Sequence, residues 1–94
     1  MVNAEQHYYV YILKSVKDDK LYTGYTGDLK KRLLEHESGK VKSTRNRRPM
    51  KLGYVKRFAS RIEAVRFERY LKSPQGGPTK KKLVSEFDNG SFKM

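Results

Sequence analysis

Tyr8-Tyr9-Val10-Tyr11-Ile12-Leu13 is a run of aromatic and aliphatic residues with no polar alternation. Such a run suits a strand covered on both faces, which in a small sheet is the central one. The polar stretch Lys14 to Asp19 reads as a hairpin loop, and Lys20-Leu21-Tyr22-Thr23-Gly24-Tyr25 as a second strand paired antiparallel to the first. Side chains two apart on a strand share a face, so Tyr9, Tyr11 and Leu13 point one way and Tyr8, Val10 and Ile12 the other. If the register sets Tyr11 opposite Tyr22, or one pair along, both phenols lie on one face. Gly24 shares that face with Tyr22, and its missing side chain would let a substrate or another backbone approach closely. Both a pocket floor and a tyrosine-lined core with hydroxyls reaching water fit this pattern.

Beyond the hairpin, Asp28 is a good helix N-cap, and Leu29, Leu33 and Leu34 give the following helix an apolar side that ends near Gly39. Arg32 and His36 stand one turn apart on it and could address one phosphate together, unless Arg32 simply pairs with Asp28. Lys40 to Lys51 holds six basic residues, no acidic one and Pro49, which predicts an irregular loop. Leu52 to Phe58 follows as a third strand. Ser60-Arg61-Ile62-Glu63 has the Ser-x-x-Glu form of a helix start, predicting a helix over 61–72 that stops at Ser73-Pro74-Gln75-Gly76-Gly77-Pro78. Thr79 then caps a last short helix through Lys82, Leu83, Val84 and Phe87. These elements make an α/β chain of the α+β kind, a small three-stranded antiparallel sheet flanked by helices in the order β-β-α-β-α-α.

Glu68 has Ala64, Val65 and Leu71 as its helix neighbours, an apolar setting for a carboxylate. A charge there needs a partner. Lys72, one turn on, offers an ordinary helix salt bridge, and a catalytic metal offers a sharper alternative. One carboxylate suits Mg²⁺, which keeps several waters and takes few protein ligands.

Ninety-four residues leave no room for two independent cores, so 1–94 reads as one domain. With Lys+Arg 22 against Asp+Glu 10, the net charge of +12 makes a positive field that draws polyanions, nucleic acid first among them. The absence of cysteine excludes disulfides, thiolate nucleophiles and zinc-thiolate sites. The N-terminus lacks the basic-then-apolar order of a signal peptide and Tyr8–Leu13 is far too short to span a bilayer, so a cytoplasmic protein without membrane contact is expected.

Tyr9-Val10-Tyr11 and Tyr22-Thr23-Gly24, joined by a loop of suitable length, together with the segment Leu29 to His36 and the helix around Glu68, resemble the GIY-YIG nuclease superfamily over about residues 8–84. The resemblance is to small stand-alone bacterial members, similar to the nuclease domain of the excision-repair protein UvrC. It implies a GIY-YIG fold and metal-dependent endonuclease activity on phosphodiesters, most often in DNA rather than RNA and linked to repair, with one Mg²⁺ or Mn²⁺. Glu68 would hold that metal, Arg32 would bind the scissile phosphate, Tyr11 or Tyr22 would take the proton of the attacking water, and His36 would relay or orient it. Tyr11 is favoured as base, with Arg32 and the metal promoting its phenolate form. The lack of a carboxylate cluster argues against a two-metal site. Lys40, Lys42, Arg45, Arg47, Arg48 and Lys51 would contact phosphates, with Lys80, Lys81 and Lys82 extending the path. Two departures stand out: the first motif begins with Tyr9 instead of glycine, and Pro74 to Pro78 occupies the place of a further polar site residue. A catalytically silent binding module that works with a protein partner is the alternative.

Overall fold

The computed structural model describes residues 6–87, so both tails of the expected 1–94 unit lie outside the described residues. Its sheet has the order β2-β1-β3, with β1 (Tyr8–Ser15) in the middle, antiparallel to both β2 (Leu21–Thr26) and β3 (Met50–Phe58). The alternation along β1 splits the interior into two halves. Val10 and Ile12 pack with Ala64 and Leu71 on one face, and Tyr11 and Leu13 pack with Leu29 and Val55 on the other. A central strand sealed on both sides is what the unbroken run at Tyr8–Leu13 demands, each fully buried aliphatic side chain being worth about 1.5–3 kcal/mol.

Between Ile12 and Leu13 the pairing with β3 slips, Ile12 facing Tyr54 and Leu13 facing Leu52. Gly53 is the extra residue of this bulge. The slip turns Leu52 over, so it joins Leu13 while Tyr54 stays with Ile12.

Helix α1 (Leu29–Glu37) starts at Asp28, whose carboxylate accepts from the Lys31 N–H at 3.1 Å. It ends in a Schellman turn: Gly39 N donates to His36 O at 3.2 Å and Lys40 N to Glu35 O at 3.0 Å. Gly39 has φ +84, a conformation that favours glycine. The Lys40–Lys51 segment is not wholly irregular as expected. It contains one helical turn, α2 (Lys42–Arg45), and β3 begins at Met50. Val41 and Thr44, three apart, are both buried and give that turn an inner side the charge count concealed.

Helix α3 (Arg61–Lys72) has the expected bounds. The Ser60 hydroxyl accepts from the Glu63 N–H at 3.4 Å, so one half of the reciprocal cap is formed. Helix α4 (Gly77–Glu86) starts before Thr79, with Pro78 in its first turn, where a missing N–H costs nothing. Thr79 does not cap it; its hydroxyl bonds to that of Tyr70 at 2.9 Å. Among the described residues no helix is long and apolar enough to cross a membrane.

Candidate active site

Tyr11 pairs with Gly24 and Leu13 with Tyr22, so the two phenols share one face, diagonal to each other, with ring centroids 6.4 Å apart. The space above Gly24 is filled by the chain's own Tyr11: a Cβ there would lie 2.6 Å from the Tyr11 hydroxyl and 2.8 Å from the ring carbon bearing it. The close approach that the missing side chain allows is made here by the Tyr11 ring. Glycine is required so that the Tyr11 ring can fold across β2.

Helix α1 lays Arg32 and His36 over this hydroxyl. His36 is 2% exposed, and its Nε2 sits 3.0 Å from the Tyr11 oxygen. Arg32 Nε donates to the same oxygen at 3.4 Å, and its Nη1 pairs with Glu35 at 3.0 Å. The ordinary partner of Arg32 is therefore Glu35, because Asp28 is engaged in capping. The other nitrogen of His36, Nδ1, lies 2.8 Å from Thr44 Oγ1. Thr44 and Glu35 were missed by reading the sequence; the Val41/Thr44 spacing was the available signal for the first.

Burial pushes the Tyr11 phenol up to about 12, against the opposing hydrogen bond and charge of Arg32. The expected phenolate-promoting effect of Arg32 is present but is outweighed by desolvation. Burial also pushes His36 down to about 4, with the Arg32 charge helping, so the ring is neutral at physiological pH. The bonds to Tyr11 and Glu35 strengthen the cationic form of Arg32.

A histidine depressed from 6.5 in the unfolded chain to about 4 in the folded one contributes stability that is full above pH 6.5 and lost as pH falls towards 4. We expect an unfolding free energy at pH 4 lower by about 3 kcal/mol on this account, measured by urea titration. His36→Gln should remove most of that slope; an unchanged slope would contradict the burial of a neutral ring.

Glu68 projects from α3 with its side chain 14% exposed, bonded to Lys72 at 3.0 Å. The ordinary helix pair is thus made. The carboxylate also stands near enough to Tyr11 for its charge to oppose phenol ionisation. Among the described residues no group of three or more His, Cys, Asp or Glu could enclose a metal. A carboxylate within electrostatic reach of the Tyr11 phenol suits a hard cation that keeps most of its waters, and Glu68 is the residue that could hold it.

Of the basic residues, Lys40, Lys42, Arg45 and Lys51 are exposed. Arg48 is used in framing, donating to Arg45 O at 2.9 Å and Glu37 O at 3.0 Å. Arg47 is half-buried, with Nε 3.8 Å from Asp18. Lys80, Lys81 and Lys82 lie on α4, which packs through Leu83 and Val84 against the Val10/Ile12 face, away from Tyr11.

The α+β fold thus brings two phenols, an arginine and a histidine together around one hydroxyl, with the Glu35 and Glu68 carboxylates nearby. The chain belongs to the GIY-YIG catalytic domain family, whose model matches residues 7–82. A domain of this family points to a nuclease acting on nucleic acid. The chain is 51% identical over 69 residues to a UPF0213 protein of Oceanobacillus iheyensis, covering 72% of this chain and 78% of that protein. It is 41% identical over 80 residues to one of Staphylococcus saprophyticus, covering 84% of this chain and 95% of that protein. The solution NMR structure of a UPF0213 protein of Bacillus halodurans is similar at TM-score 0.51 and 44% identity, over 84% of this chain and 83% of that one.

Proposed function

We propose that the protein is a divalent-metal-dependent endonuclease that hydrolyses phosphodiester bonds, in DNA before RNA, with Tyr11 and His36 acting as one proton-accepting unit. The observation that carries this is the 3.0 Å contact between the buried phenol and a buried neutral imidazole, under an arginine. Binding alone needs basic residues, not such a unit.

Arg32 seats the scissile phosphate and stabilises the charge that develops on it. Its present hold on Glu35 is partly exposed and worth about 1 kcal/mol at most, so a phosphate can draw it outward and uncover the Tyr11 oxygen. As a water attacks phosphorus, its proton passes to that oxygen while the Tyr11 proton passes to His36 Nε2. The new P–O bond forms, the bond to the leaving oxygen breaks, and solvent protonates the leaving group. At neutral pH a free Tyr11 phenolate costs roughly 7 kcal/mol and a protonated His36 roughly 4 kcal/mol, at about 1.4 kcal/mol per pKa unit. The proton therefore ends on His36. A phosphate that neutralises Arg32 lowers the second cost further, since the arginine charge is part of what depresses the imidazole.

Glu68 would hold Mg²⁺ or Mn²⁺, which supplies charge stabilisation at the non-bridging and leaving oxygens. Tyr22, half-buried, stands close enough to Arg32 to favour its charged form and steadies the guanidinium. Lys40, Lys42, Arg45 and Lys51 place the strand by its phosphates, and any finer target choice comes from a protein partner.

The Glu68–Lys72 pair and the covered Tyr11 oxygen favour one competing reading, a binding module without turnover. Purified protein with labelled single-stranded, duplex and branched DNA and matched RNA separates the two. Cutting in Mg²⁺ or Mn²⁺ that stops with chelator is the expected result. Retention of these nucleic acids without cutting under any metal selects the binding module.

A further inference from the structure

Arg32 sits in the middle of α1, and the basic turn α2, with Lys42 and Arg45, lies beyond the C-terminal end of that helix. A strand seated on Arg32 also has to run on in the other direction. There, at the N-terminal end of α1, an open cleft is lined by Tyr25, Thr26, Asp28, Lys31, Arg32 and Glu35 among others. Its two carboxylates are committed: Asp28 caps α1 through the Lys31 N–H at 3.1 Å, and Glu35 pairs with Arg32 at 3.0 Å. The ammonium of Lys31 has no carboxylate within ion-pair distance among the described residues.

Arg61, exposed in the first turn of α3, is joined to this cleft through Tyr25. Its Nη2 donates to the Tyr25 hydroxyl at 3.1 Å, and its guanidinium carbon lies 6.0 Å from the centre of that ring. Among the described residues no carboxylate pairs with it either, so most of its five N–H donors remain available. An arginine fastened by a phenol instead of a carboxylate is held in place without being neutralised, and its planar fork matches the oxygens of a phosphate. Arg61 and Glu68 are seven residues apart, close to two turns, so they share a side of α3 about 10 Å apart along its axis. An anion on Arg61 is therefore a different group from one beside Glu68.

We propose that Arg61, steadied by Tyr25, binds a backbone phosphate that flanks the scissile one, so that the bound strand runs from α2 over Arg32 and along the cleft to the start of α3. The contact places the strand without reading its bases, because backbone phosphates are alike at every step. Which phosphate counts as flanking rests on the endonuclease reading above; the contact itself does not.

The test uses Arg61→Gln, an exposed change that removes the charge and keeps a polar side chain. With chelator present, its affinity for short DNA is expected to be about five- to tenfold below wild type at 0.1 M salt, and the slope of log affinity against log salt to be shallower by about 0.7–0.9. Neutral methylphosphonates, placed one at a time beside the preferred cut, should raise the wild-type KM most at one flanking position, and that penalty should vanish in Arg61→Gln. Unchanged affinity and salt slope in the variant overturn the proposal, as does a methylphosphonate penalty that persists there at every position. Neither result touches the endonuclease reading, which falls only if the wild type binds and never cuts; in that case the affinity and salt slope still decide the role of Arg61.

Discussion

Tyr11→Phe is expected to lower kcat for phosphodiester cleavage by about a thousandfold while leaving nucleic-acid affinity within about twofold. The ring stays folded over Gly24, because nothing about its shape changes. What is lost is the oxygen that bonds to His36 at 3.0 Å and to Arg32 at 3.4 Å, and with it the only route from an attacking water to the imidazole. The basic residues around α2 that seat the strand are untouched, so binding and turnover separate. Leaving His36 Nε2 unpaired in a buried site should also cost about 1–3 kcal/mol of stability, read from urea unfolding. Tyr22→Phe should lose less activity, since its hydroxyl supports Arg32 without bonding to the imidazole. If the Tyr11 variant cuts within tenfold of wild type, or if Tyr22→Phe is the more damaged of the two, the proton path runs elsewhere.

The face-by-face arrangement of these residues is legible in the sequence because strand alternation is a hard constraint. Once Tyr8–Leu13 is a strand sealed on both sides, Tyr11 and Leu13 must share a face, and an antiparallel partner puts Tyr22 and Gly24 on it too. Helix periodicity did the same for Arg32 and His36, and the caps at Asp28 and Ser60 fixed where α1 and α3 begin. The features that escaped are those set by tertiary packing. Which atom fills the hollow at Gly24 depends on how a ring lies across a neighbouring strand, which residue spacing does not encode. Whether Arg32 promotes the phenolate depends on weighing its charge against desolvation, and burial depth is a property of the folded whole. Thr44 was hidden for a different reason: six basic residues between 40 and 51 look like solvated chain, and only the Val41/Thr44 pair gives away a turn with an inside. The placement of the α4 lysines is likewise a matter of topology: Leu83 and Val84 set that helix against the Val10/Ile12 face, which the charge run alone does not say.

Glu68→Gln is expected to reduce cleavage by about 10² to 10³-fold at every Mg²⁺ or Mn²⁺ concentration, with a nearly unchanged unfolding midpoint. The amide keeps the shape of the side chain and removes the charge that a hard cation requires. Stability should barely move, because the Glu68–Lys72 pair is an i,i+4 bridge whose lysine is 52% exposed, and such pairs contribute about 0.3–0.5 kcal/mol. The same magnitude decides whether Lys72 blocks the site. An interaction that weak changes an apparent metal affinity by no more than about threefold, whereas a divalent ion on a nearly buried carboxylate gains several times as much. Lys72 is therefore a placeholder that a cation displaces, and Lys72→Ala should shift the half-saturating metal concentration downward by about threefold or less without raising kcat. A much larger shift would make Lys72 a true gate on Glu68. Full activity in Glu68→Gln would remove this carboxylate from the reaction and, with it, the metal-holding role proposed for Glu68.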